Sequence, residues 1–127
     1  MSNIFNTPDT TSTYTASDIQ QNKVMAVLSY LGILVLVPLL AAKDSPFARF
    51  HALQGINLFI LEIAFGIVSF IITLIFAFIS GILSTIWGLI SWLVSLAFFV
   101  LVVIGLVNAA QGKAKELPLI GSIRIIK

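Results

Sequence analysis

Between Ile63 and Gly112 the chain runs for 50 residues without one Asp, Glu, Lys or Arg. A second uncharged run, Val24 to Ala42, covers 19 residues and is closed at both ends by lysine, Lys23 and Lys43. An α-helix rises about 1.5 Å per residue, so about 20 apolar residues cross the roughly 30 Å hydrocarbon layer of a bilayer. A soluble chain of this size cannot hide such runs, because small domains bury only about 60–70% of the surface their unfolded chains expose. Hydrophobic residues make up 59% of the 127, and only 9% are charged. Lipid has to cover what a core cannot. The expected fold class is therefore all-α, a helical integral membrane protein.

Punctuation within the runs divides them. Residues 1–16 are polar and without periodicity, which predicts a disordered tail. Ser17-Asp18-Ile19-Gln20 has the spacing of a capping box, and Pro38 is a residue that lipid-embedded helices tolerate. The first span is then placed at about 24–42, and is read as retained rather than as a signal peptide, because its apolar run exceeds the usual 7–15 residues. Ser45-Pro46 predicts the start of a second helix. Its first turns, Phe47 to Gly55, alternate Phe47, Phe50 and Leu53 with Arg49, His51 and Gln54, an amphipathic entry in the headgroup region. Ser80-Gly81 is the turn signal inside the long run, giving spans at about 52–79 and 82–110 within a transmembrane domain of residues 17–112. Residues 113–127 form a short basic tail. Three spans fit better than four, because three further spans in Ala52–Gly112 would leave no loops. Six cations (Lys43, Arg49, Lys113, Lys115, Arg124, Lys127) against Lys23 alone place the N-terminus outside and the C-terminus in the cytoplasm.

Several function classes fall away. There is no basic run with stacking aromatics for nucleic acid, no cysteine for a thiolate site, and one histidine, too few for a His-rich metal cluster. No nucleophile elbow, HExxH or phosphate loop is present, so no catalytic, cofactor or metal residue is assigned and an enzyme is not expected.

The polar residues inside the apolar runs are the candidates that remain. At 100° per residue, Glu62, Ser69, Thr73 and Ser80 lie within about 40° of His51, with Gln54 at the edge of the same stripe. Such a stripe must face protein or water, because lipid offers no hydrogen-bond partner. Glu62 sits about half-way across. It reads either as a titrating group in a transport path or as a protonated acid bonded to Ser29 or Tyr30, and the second reading is preferred because no Asp, Lys or His relay accompanies it. Gly81, Ser84, Gly88, Ser91 and Ser95 share one face of the last helix, where small residues allow helices to approach within the monomer or in a homo-oligomer. Trp87 and Trp92 are expected to anchor the outer end of that helix. Arg49 and His51 are candidates for contact with lipid phosphate or a partner.

Leu28-Ser29-Tyr30-Leu31, the stretch Lys43 to Gly55 with its Phe47-x-Arg49-Phe50-His51-x-x-Gln54 element, and Asn108 to Lys113 followed by Leu117 to Gly121 carry a resemblance. Over roughly residues 23–126 the chain resembles bacterial and archaeal members of the chloroplast inner-envelope protein-import component family. The resemblance implies a small multi-pass protein of a prokaryotic cell membrane, translocase-like in role. The expected function is a non-enzymatic interaction or assembly subunit whose partners are the lipid bilayer and another membrane protein or further copies of itself. The alternative is an oligomeric channel or carrier with Glu62 as its titrating group.

Overall fold

The computed structural model describes residues 6–127. Of the tail read as disordered, residues 1–5 lie outside the described residues. From Thr7 onward the chain lies against the C-terminal segment, with Thr10 N–H donating to the Ala114 carbonyl (2.9 Å) and Glu116 N–H to that of Pro8 (3.0 Å). A 3₁₀ turn at Thr11–Thr13 leads into four α-helices: α1 (Ala16–Leu28), α2 (Leu36–Ala41), α3 (Pro46–Ile79) and α4 (Gly81–Ala110).

The cap of α1 is Thr15, whose hydroxyl accepts from Asp18 N–H, and not Ser17. The Asp18 carboxylate is turned away from its own helix. It accepts from the Ser45 hydroxyl and from Phe47 N–H at 3.0 Å, and so caps the N-terminus of α3 together with Ser45. An anion at a helix N-terminus satisfies donors that have no partner inside the helix. Ser45 and Pro46 open α3 as their order predicts.

The three-span reading is not sustained. Two helices, α3 and α4, are long and apolar enough to cross a membrane, but residues 24–42 are not one helix. After α1 ends at Leu28 the chain turns, forms a short 3₁₀ stretch at Gly32–Val35, and enters α2. Two residues explain the break. Gly32 has φ +62, a left-handed conformation open to glycine at little cost. Pro38 is the third residue of α2, in the first turn, where its missing N–H forfeits no helical bond. The segment therefore goes in and comes back. Asp18 begins beside Phe47, Tyr30 reaches His51, Gly32 lies beside Phe59, and Ser45 N–H then bonds the Ala42 carbonyl at the start of α3 again. Both described ends of the chain consequently lie at one end of the molecule, joined by an antiparallel bridge between Asp9 and Lys115.

That end, the base, holds the core. Buried residues of α3 fall between Phe47 and Leu58, and those of α4 between Leu101 and Ala109. Beyond them α3 and α4 continue as a bare antiparallel pair, joined by Ser80 alone. Phe78, Leu89 and Phe99 are among the large apolar side chains that pair leaves exposed.

Candidate functional site

The base is organised around His51. Its ring is fully buried, with Tyr30, Phe47 and Phe50 meeting it edge to face at centroid distances of 5.0–5.5 Å. Nε2 lies 2.7 Å from the Lys113 carbonyl and Nδ1 lies 2.6 Å from the Tyr30 hydroxyl. A carbonyl can only accept, so Nε2 carries the proton, and Nδ1 accepts from Tyr30. The neutral imidazole thus ties together the reversal after α1, the first turns of α3 and the exit from α4. Because it is enclosed, it offers nothing to lipid phosphate. Arg49, on the exposed side of the same helix, is the outward group, with Nη2 3.4 Å from the Lys127 carbonyl.

Gln54 and Asn57 bind the C-terminal segment along α3. Gln54 donates to the Gly121 carbonyl (3.0 Å) and accepts from Leu117 N–H (2.9 Å). Asn57 donates to the Ile126 carbonyl (3.0 Å) and accepts from Ile126 N–H (2.7 Å). Each amide uses both of its ends, so buried backbone groups without a ladder partner are satisfied. Arg124 closes the same segment through an ion pair to Glu116 at 3.1 Å.

The remainder of the stripe lies higher, in the bare pair. Glu62, Gly66, Ser69 and Thr73 of α3 and Ser91 and Ser95 of α4 line an open seam of about 580 Å³. Ser69 and Ser91 hydroxyls meet at 2.9 Å, and the Trp87 indole N–H donates to Ser69 Oγ at 3.1 Å. Trp87 is therefore spent on the helix pair rather than on the membrane boundary, while Trp92 is exposed. The stripe is continuous in angle but divided in depth: His51 and Gln54 belong to the base, and Glu62, Ser69 and Thr73 to the seam. Neither Ser29 nor Tyr30 reaches Glu62; Ser29 bonds the Met25 carbonyl and Tyr30 bonds His51.

The small-residue face of α4 is divided, with Gly81 and Gly88 open and Ser91 turned to Ser69 of α3. A Cβ built on Gly81 or Gly88 meets nothing within 4 Å, and Ser84 Oγ is buried without a partner among the described residues. Close approach happens elsewhere. A Cβ on Gly55 would stand 1.8 Å from the Ser29 carbonyl oxygen, and one on Gly105 would stand 2.4 Å from the Tyr30 ring. Asn57 and Gly105 were not singled out in the sequence, and Tyr30 and Asp18 were named there in other roles, as a partner for Glu62 and within a capping box. Asn57 carried the clearest signal, one helical turn from Gln54 inside an otherwise apolar stretch.

A second polar recess, about 570 Å³, lies between the start of α1 and the connector, lined by Ser17, Asp18, Asn22 and Asp44 among others. Both Asp18 oxygens are already engaged by Ser45, Asn22 and Phe47. Among the described residues no group of three His, Asp or Glu side chains is placed to hold a metal ion. Asp9, near the surface, has its carboxyl held below its ordinary value, first by the hydrogen bond from the Thr11 hydroxyl and then by that from Thr11 N–H.

Comparison with known proteins places this architecture. The chain is 35% identical over 98 residues to the magnetosome protein MamF of Paramagnetospirillum magneticum, covering 77% of this chain and 78% of that one. It is 33% identical over 111 residues to the magnetosome protein MamF of Magnetospirillum gryphiswaldense, with 87% and 89% covered. A 37-residue stretch is 51% identical to the magnetosome protein MmsF of P. magneticum, 29% of this chain and 35% of that one. No solved structure matches. The resemblance to the import-component family is thereby overturned. Residues that carried it, in Lys43–Gly55 and Asn108–Gly121, include those with which the base closes on itself. The family model that matches, over residues 21–126, is that of the magnetosome magnetite crystal formation proteins, the MamF and MmsF family, and this chain belongs to it.

Proposed function

We propose that this chain is a non-enzymatic subunit of the magnetosome membrane that acts in magnetite crystal formation. The observation that carries this reading is the family match, which spans the base and both long helices rather than a local motif. Two apolar helices supply the membrane anchor, and a base closed by buried hydrogen bonds supplies a rigid body on one side of it.

The orientation we propose follows from charge. Lys23, Lys43, Arg49, Lys113, Lys115, Arg124 and Lys127 all belong to the base, and the turn at Ser80 carries no charge. Cations are retained on the cytoplasmic side, so the base and both described ends face the cytoplasm and Ser80 faces the interior of the organelle. This replaces the arrangement with the N-terminus outside. The subunit then presents very little to a growing crystal directly, and acts through the membrane and through what gathers at the base.

Supplying the chain, fluorescently tagged, to a magnetotactic bacterium that lacks its MamF relative tests the role. The expected result is fluorescence along the magnetosomes and a crystal-size distribution, by electron microscopy, displaced from that of the deletion strain. Fluorescence spread over the cell membrane with crystals identical to those of the deletion strain would overturn it.

A further inference from the structure

We propose that this protein is a membrane wedge: it inserts more mass into the leaflet on the side of its base than into the opposite leaflet, and so favours a bilayer that is convex on the base side. The inference goes beyond the role in crystal formation and does not require it.

The argument begins with length. From Arg49, the last cation before the apolar stretch of α3, to Ser80 is 31 residues, about 46 Å of helix. That matches the full thickness of a bilayer with its headgroups, roughly 40–45 Å. Arg49 and Lys113 therefore lie near one phosphate plane and Ser80 near the other. The reversal between α1 and α2 lies beside Gly55 and Phe59, up to ten residues further along α3, hence up to roughly 15 Å below the first plane. It ends within the near leaflet.

The surface of this inner hairpin fits that depth. Ile33 is 62% exposed and Leu40 69%, and Leu31, Leu34 and Leu36 are exposed beside them. These are side chains for acyl chains, and Lys23 and Lys43 at the two ends are groups for headgroups. The C-terminal segment adds to the same leaflet, since Gln54 and Asn57 hold it against α3 with Ile123, Ile125 and Ile126 turned outward. Among the described residues nothing accompanies α3 and α4 above Phe59, and every buried residue of α3 lies at or before Leu58. Four helical segments thus enter the near leaflet and two cross the far one. Two extra helices about 10 Å across occupy roughly 150 Å² that the far leaflet does not have to match. Lipid must close that difference, and it does so at least cost when the near leaflet is the outer, more expanded one. With the base toward the cytoplasm, such a shape favours a closed vesicle inside the cell over the flat cell membrane.

The chain contains no cysteine, so Lys43→Cys, at an exposed residue of the base, provides a unique label. The full-length protein is reconstituted into vesicles of phosphatidylethanolamine and phosphatidylglycerol and labelled from outside with an impermeant maleimide. The fraction labelled is the fraction with the base outward. It should rise from about half in vesicles about 400 nm across to about three quarters or more at about 50 nm, as curvature-sensitive insertion requires. Adding Ile33→Asn and Leu40→Asn, both at exposed positions, should flatten that dependence by removing the apolar surface of the wedge. A base-out fraction independent of vesicle size, or one that falls in small vesicles, would overturn the proposal. So would a size dependence left intact in the double variant. None of these readings involves mineral, so failure here is distinguishable from failure of the crystal-formation role.

Discussion

The base and the helix pair above it are built from the same two helices, yet they use glycine and polar side chains in opposite ways. In the base, Gly55 lets the backbone of Ser29 lie directly against α3, and His51, Gln54 and Asn57 spend their polar atoms on carbonyls, N–H groups and the Tyr30 hydroxyl of distant segments. In the pair above, Gly66, Gly81 and Gly88 stand beside open space, and the hydroxyls of Ser69 and Ser91 meet only each other and Trp87. Fixed geometry is concentrated where the chain closes on itself. The upper pair is held by little more than its own helices and the surrounding lipid, which lends no hydrophobic force to helix association.

Glycine substitution should separate the two regions most sharply. Gly55→Ala places a methyl group 1.8 Å from a backbone oxygen, and neither helix can yield locally. Overpacking of this kind costs about 1–3 kcal/mol or more, so the variant should lose most of its folded yield in detergent and melt well below the parent. Gly88→Ala meets nothing and should stabilise the helix slightly, by about 0.5–1 kcal/mol. Equal melting temperatures for the two variants would remove the distinction.

His51→Leu comes next. It keeps an apolar body among Phe47, Phe50 and Tyr30 but strands the Tyr30 hydroxyl and the Lys113 carbonyl, at about 1–3 kcal/mol for unpaired buried groups. Tyr30→Phe removes only the donor to Nδ1 and should cost visibly less in the same thermal melt. A Tyr30→Phe loss as large as that of His51→Leu would mean that the Tyr30 bond carries the whole link and the Lys113 bond none of it.

A smaller and more local effect is expected from Gln54→Leu and Asn57→Leu. Each should release its part of the C-terminal segment at about 1 kcal/mol per lost hydrogen bond. Faster hydrogen exchange at Leu117 and Gly121 in the first, and at Ile126 in the second, would show it, with α4 between Ser84 and Ser95 unchanged. Exchange that rises throughout α4 would mean that base and pair unfold as one unit.

The smallest effect concerns pH. Hydrogen bonds from Thr11 hold the Asp9 carboxyl below its ordinary value of 3.8. A lowered folded value means that the stabilisation is complete above 3.8 and is lost as pH falls through the lowered folded value. Amide exchange of Thr10 and Glu116, which bond across to Ala114 and Pro8, should quicken in that acidic range, and Asp9→Asn should remove the pH dependence.

Much of this architecture was legible in the sequence, and the parts that were not have a common cause. The uncharged run gave the two long helices, and Ser80-Gly81 marked their turn, because hydropathy and turn chemistry are local properties. The run from Val24 to Ala42 is as apolar as a span, and counting apolar residues cannot distinguish a crossing from a return. What decides it is the left-handed backbone of Gly32, the place of Pro38 in a first turn, and the seat that Gly55 offers to Ser29. Only the last of these involves a residue distant in sequence, and it alone fixes the direction of return. The polar stripe, read by angle, is divided by the fold between the base and the seam. His51 and Glu62 share a face, but one is sealed among aromatic rings and the other opens on a seam. The resemblance drawn from Phe47 to Gln54 went astray; in this chain His51 and Gln54 serve to close the base.

Ser80 links α3 to α4 without any intervening loop. A chain joined this way cannot install its helices one after the other, since the first would have to expose its whole far end before the second began. The two must enter the bilayer together as a preformed hairpin, and all that has to be carried across is one serine and the turn around it. With the orientation proposed above, no charged side chain between Ile63 and Gly112 has to cross. Substitutions that lengthen or charge the turn should act during biogenesis, as failed insertion, before they have any effect on the finished protein.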